Sequence, residues 1–161
     1  MHSESRGLPP DIPTDGLKHD WELLNRYQAF SAELLRMSLA GIAAVGFLVT
    51  ALAGKGSLLN ISGVPLTSRL GIAVSLVALG LSAGSALAHR FVSSDSMSYH
   101  MSVLRMQLRG RADSDIASEK KARNKRFKLS GVLLSAAALF LSIGALALAV
   151  SFIVLLKKIG G

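Results

Sequence analysis

Asp95, Ser96, Tyr99 and His100 form the densest group of chemically capable side chains in this sequence. At helical spacing Asp95 reaches Tyr99, and Ser96 reaches His100, each four residues on. A carboxylate, a hydroxyl and an imidazole are the raw parts of nucleophilic or acid–base catalysis. That work needs them to converge on one cleft. Residues spread around two turns of one helix diverge, so structural hydrogen bonding is expected here and catalysis is not. His89 points nearly the same way as His100, but roughly 16 Å of helix rise separates the two, which excludes a shared metal ion. Cysteine is absent, removing thiolate ligands, disulfides and thiol nucleophiles. No catalytic, cofactor-binding or metal-binding residue is therefore expected.

Two further motifs carry little. Gly54, Lys55, Gly56 and Ser57 faintly resemble a phosphate loop, but Val49 stands where its first glycine belongs and Gly56 where Ser or Thr belongs. Asn60, Ile61 and Ser62 form a glycosylation sequon, meaningful only in a eukaryotic secretory pathway. The sharpest charge cluster is Lys120, Lys121, Arg123, Lys125, Arg126 and Lys128, just before an apolar run. Such juxtamembrane cations attract anionic lipid headgroups, and they also orient the chain across a bilayer. Nucleic acid is disfavoured, because Phe127 is the only aromatic residue among these cations.

The elements that position these groups are dictated by what is missing. The 161 residues are 50% apolar, as in soluble proteins, but only 17% charged, against a usual quarter. The deficit leaves charge-free runs at 37–54, 70–88 and 129–156. Runs of 18 or more such residues read as membrane-spanning helices. The water-exposed remainder is too short for a sizeable aqueous core, which excludes a soluble enzyme. The first run follows a 36-residue tail with four Lys/Arg and six Asp/Glu. This is unlike the short basic start of a signal peptide, so a retained helix is expected. Because no ionisable residue lies within the runs, single-chain active transport is disfavoured.

Loop cations set the expected topology. Residues 1–36 carry four Lys/Arg and 89–128 carry ten, whereas 55–69 and 157–161 carry two each. Lys/Arg-rich loops stay in the cytoplasm, which puts the N-terminus and 89–128 inside and the C-terminus outside. Compact size and the lack of eukaryotic sorting signals favour the plasma membrane of a bacterium, its inner membrane. The expected organisation is a disordered tail (1–16), a cytoplasmic amphipathic helix (17–36), a first span (37–54), an outer loop (55–69), a second span (70–88), a cytoplasmic helical hairpin (89–128), a third span (129–156) and an outer tail (157–161). The fold class is an all-α integral membrane protein whose second and third transmembrane helices extend into that hairpin.

Small residues at three–four spacing mark helix-packing seams, because lipid supplies no hydrophobic drive between helices and close backbone approach must replace it. Gly71, Ser75, Ala78, Ser82, Ser85 and His89 form one seam, continued by Val92, Ser96, Tyr99, Val103 and Met106 up to Gly110. Gly131, Ser135, Ala138, Ser142, Ala145 and Ala149 form another, and Ala43, Gly46, Thr50 and Ala53 a third. Gly80 and Gly84 make a GxxxG pair on a separate face, available to a neighbouring chain. The seam serines are expected to bond their own i−4 carbonyls. Gly110 should end the second helix, with Asp113, Ser114 or Asp115 capping the next. Before the first span, Leu17, Trp21, Leu24, Tyr27, Phe30 or Ser31, and Leu34 approximate an inward stripe. In the return helix Ile116, Ala117, Ala122 and Phe127 are the packing candidates.

The function expected from these features is non-enzymatic: a multi-pass membrane protein acting by helix-mediated assembly, as a scaffold or accessory subunit. Its partners would be the bilayer, with its anionic headgroups, and further copies of itself or another membrane protein. The alternative is a small holin-like or toxin-effector-like pore-former, lined in an oligomer by serines of the second or third helix.

Overall fold

The computed structural model describes residues 14–53 and 65–160. These form three helices, α1 (Thr14–Ala53), α2 (Leu66–Leu108) and α3 (Asp113–Gly160), with no strand among the described residues. Most of the 1–16 tail and of the 55–69 loop lies outside them. Each helix holds a stretch long and apolar enough to cross a membrane: Trp21–Thr50, Leu66–Leu108 and Asp113–Lys157. The helices do not stop where their charge-free runs stop. With 43 and 48 residues, α2 and α3 are about 65 and 72 Å long, roughly twice the hydrocarbon thickness of a bilayer.

Local chemistry sets the ends. Pro65 sits at the N-cap of α2, its carbonyl accepting from the N–H groups of Ser68 and Arg69 at 3.0 and 3.1 Å. Proline suits a helix start because its missing N–H has no partner to lose. At the other end Gly110 adopts φ +61°. The N–H of Gly110 donates to the Gln107 carbonyl and that of Arg111 to the Met106 carbonyl, at 3.2 and 3.1 Å. This paired arrangement satisfies carbonyls that the helix leaves open, and it needs a left-handed residue where it turns. Ala112, not an acidic or hydroxyl residue, occupies the start of α3: its carbonyl accepts from Asp115 and Ile116. Asp113 and Asp115 instead fall in the first turn, where their charge complements the helix dipole.

Serines share the interior with small and medium apolar residues, and large apolar side chains crowd the outside. Ser31, Ser38, Ser68, Ser75, Ser82, Ser93, Ser96 and Ser151 are buried, whereas Phe47 and Phe91 are 77% and 75% exposed and Leu81, Leu87, Leu139 and Leu146 also face outward. Water would reverse that arrangement. A hydrocarbon solvent tolerates it, because small residues inside permit close helix contact and large apolar ones outside meet lipid.

The interior follows a seven-residue period. On α2 the line Ser68, Ser75, Ser82, His89, Ser96, Val103 is buried throughout. On α3 the inward line is Ser130, Ala137, Gly144, Ser151, and on α1 it is Ser31, Ser38, Val45. A sustained heptad keeps one seam facing its neighbours along a gentle left-handed supercoil. The main pairing is α2 with α3, and α1 lies chiefly on α2. Leu79, 1% exposed, is the knob at the centre. A Cβ placed on Gly41 would stand 2.9 Å from Leu79 Cδ1, and one on Gly144 would stand 2.8 Å from Leu79 Cγ. Both glycines are thus the floor of the hole that Leu79 fills.

Candidate functional site: a cleft at the basic end of the bundle

Hydroxyl groups tie the three apolar stretches together. Ser75 Oγ donates to the Gly144 carbonyl at 2.8 Å, and Ser82 Oγ to the Ala137 carbonyl at 2.7 Å. Ser38 Oγ lies 2.8 Å from Ser82 Oγ and 2.7 Å from the Leu34 carbonyl, so its single proton chooses between the neighbouring helix and its own. Back-bonding within the helix, expected for all the seam serines, holds for Ser142 toward Ala138 but not for Ser75 or Ser82. The reason is proximity. Where Gly144 brings the backbones together, a carbonyl of α3 comes within reach, and two lone pairs let it accept a second hydrogen bond.

The small-residue stripes fall in different environments. On α2, Ser75, Ala78, Ser82 and His89 are buried and Gly71 and Ser85 half-buried, while Gly80 and Gly84 face outward. Gly71 lies so close to Ser151 Oγ that any side chain there would displace it. On α3, Gly131, Ser135, Ser142, Ala145 and Ala149 are exposed and Ala138 is half-buried. The neighbouring line from Ser130 to Ser151 faces inward instead, flanked by Leu134, Leu141, Leu148 and Leu155. The two lines of α3 are equally small, and only the inward one carries leucines able to pack across the interface. On α1, Ser31 and Leu34 turn inward, whereas Trp21, Tyr27 and Phe30 are about half exposed. In the return segment Ile116 is buried, Ala122 half-buried, and Ala117 and Phe127 exposed.

The Asp95–His100 group is pulled apart by α3. Asp95 Oδ2 pairs with Arg126 Nη1 at 2.7 Å, and the same guanidinium lies 5.7 Å from the Tyr99 ring centroid. Ser96 Oγ donates to the Val92 carbonyl at 2.7 Å. His100 Nδ1 lies 3.3 Å from Arg123 Nη1, which leaves the imidazole nitrogen the accepting role, since a guanidinium only donates. The cluster therefore latches α2 to α3. The basic run divides accordingly: Arg123 and Arg126 turn toward α2, while Lys120, Lys121, Lys125 and Lys128 stay exposed. Among the described residues no group of three or more His, Cys, Asp or Glu is placed to hold a metal ion.

Beside this latch the three helices enclose a cleft of about 630 Å³. Leu24 and Tyr27 come from α1, His89, Ser93, Met97 and His100 from α2, and Arg123, Asn124, Phe127, Ser130 and Leu134 from α3. His89 is 2% exposed, and its Nδ1 has no hydrogen-bond partner among the described residues. His89 and His100, too far apart to share an ion, thus line one cavity at different heights. Sequence reasoning did not single out Ser93, Met97, Asn124 or Ser130. The available signal was His89 itself, an imidazole at the edge of an apolar run, with Ser93 and Met97 following at four-residue intervals on its face.

No family model, curated protein or solved structure matches this chain.

Proposed function

We propose that this chain is a non-enzymatic multi-pass membrane protein that acts by assembling through its helices, with further copies of itself or with a membrane partner. The supporting observation is a surplus of small residues. The monomer's own packing uses Ser75, Ala78 and Ser82 of α2 against Ala137, Gly144 and Ser151 of α3. Outside it remain Gly80 and Gly84 of α2 and Ser142, Ala145 and Ala149 of α3. A Cβ on Gly80 or Gly84 would meet nothing within 4 Å, so the monomer places no steric demand for glycine at these positions. Facing lipid, they gain nothing from being small. Facing another helix, they permit close approach.

In this reading the exposed lysines from Lys120 to Lys128 rest on anionic headgroups at the cytoplasmic face of a bacterial inner membrane. The absence of native cysteine makes the test clean. Gly84→Cys and Ser142→Cys are expressed singly, oxidised in native membranes and run without reductant. Disulfide dimers from either, and none from Ile143→Cys, an outward position of α3 about a quarter-turn from Ser142, are expected. Monomer from all three, with no co-purifying protein in mild detergent, rejects assembly. The exposed hydroxyls of Ser135 and Ser142 support a second reading, a pore lined by α3 in an oligomer. Ion flux into liposomes containing the protein separates the two.

A further inference from the structure

We propose that the three-helix cleft is a site for one anionic phospholipid, with its phosphate at Arg123 and an acyl chain along the outer face of α3. The proposal rests on the membrane reading above and not on assembly. Its size falls within the range of small-molecule sites, about 300–1,000 Å³. Its lining is amphipathic: Leu24, Met97, Phe127 and Leu134 with His89, His100, Arg123 and Asn124.

Two polar groups there lack what their chemistry calls for. Arg126 has a carboxylate partner, whereas the contacts of Arg123 are an imidazole and an amide, His100 Nδ1 at 3.3 Å and Asn124 Oδ1 at 3.2 Å. A guanidinium so held keeps its full charge for an incoming anion, and its planar fork suits phosphate oxygens. Deeper in the same cleft, buried His89 presents a nitrogen with no partner among the described residues. A headgroup hydroxyl or phosphate oxygen would satisfy it.

The cleft also has an apolar outlet. A shallow, open apolar groove lined by Phe127, Lys128, Gly131, Val132, Ala136 and Leu139 follows the outer face of α3 alone. Phe127, Gly131 and Ser135 line both cleft and groove, so the two adjoin. From Phe127 to Leu139 is about 18 Å of helix, comparable with the roughly 15 Å depth of one leaflet's hydrocarbon. The groove descends along the charge-free segment while Arg123 and Lys128 stand at its head. Cation above and apolar track below is the charge and polarity order of an anionic lipid in its leaflet.

The test is native mass spectrometry of the full chain in mild detergent. It is titrated separately with dioleoyl phosphatidylglycerol, dioleoyl phosphatidylcholine and inorganic phosphate. One phosphatidylglycerol per chain is expected, at least tenfold tighter than phosphatidylcholine, with no adduct from inorganic phosphate at matched concentration. Arg123→Gln should weaken that adduct tenfold or more, and Lys121→Gln, an exposed cation outside the cleft, less than twofold. Gly131→Leu keeps every charge, and its Cβ meets no atom within 4 Å. It should fill the junction and abolish the adduct with helical circular dichroism unchanged. Equal binding of the two lipids, equal damage from Lys121→Gln and Arg123→Gln, or inorganic phosphate binding as tightly as the lipid overturns the proposal. The same spectra report oligomer mass independently: a monomer carrying one lipid rejects self-assembly and keeps the site, and an oligomer indifferent to lipid charge keeps self-assembly and rejects the site.

Discussion

A hydroxyl buried between helices is useful only if a carbonyl comes close enough, and here glycine decides where that happens. Gly144 lets α3 approach α2 until Ser75 reaches its carbonyl and Leu79 enters the gap. Gly144→Ala would set a Cβ 2.8 Å from Leu79 Cγ and 3.2 Å from Leu79 N. The side chain can rotate but the backbone cannot, so α2 and α3 must separate. The expected cost is about 1–3 kcal/mol, read by reversible unfolding in mixed micelles. Gly46→Ala meets nothing within 4 Å and should be neutral or slightly stabilising, since alanine is the better helix former. An equal loss from both variants would show that glycine acts through the backbone and not through packing. That serine and glycine would line helix contacts was legible in their spacing. Which hydroxyls cross between helices was not, because Ser82 and Ser142 look alike in sequence and differ only in whether a foreign carbonyl is near.

At the scale of elements, the turn between α2 and α3 was legible where backbone geometry leaves one choice. Gly110 ends α2 at φ +61°, a conformation that costs a residue with a Cβ roughly 1 kcal/mol or more. Gly110→Ala should therefore lower stability by about that much. Hydrogen exchange should quicken in the last turn of α2 and the first of α3, leaving the apolar stretches unchanged. Uniform protection in wild type and variant would mean the turn carries no strain. The start of α3 was less legible, because Asp113, Ser114 and Asp115 all suit a cap while the chain uses the carbonyl of Ala112. The inward face of α3 was ambiguous for a related reason. Lines beginning at Ser130 and Gly131 are both small and both heptad-spaced, and only the partner helix selects between them.

For the whole molecule, three long apolar helices could be read from charge-free runs alone, and three stretches fit to cross a membrane are present. Which end of each faces the cytoplasm rests on loop cations, and fusions test it. Alkaline phosphatase after Lys157 should be active, and a fluorescent protein there dark, if the basic loop lies inside. The opposite pattern inverts the topology. The cleft was out of reach of sequence reasoning, since it forms from residues as distant as Tyr27, His89 and Arg123. The seven-residue recurrence of serine has one further consequence. Hydroxyls repeating every two turns form a ladder that looks the same after sliding by one rung, about 10 Å, so they bind α2 to α3 without saying how far along. Leu79 supplies one index within the apolar stretches. Only Gly41 and Gly144 leave room for it, and a slip by one rung would drive it onto Leu34 or Leu48 and onto Ala137 or Ser151. One leucine keyed to two glycines thus helps set the alignment of all three helices, beside the Gly71–Ser151 contact and the Asp95–Arg126 pair.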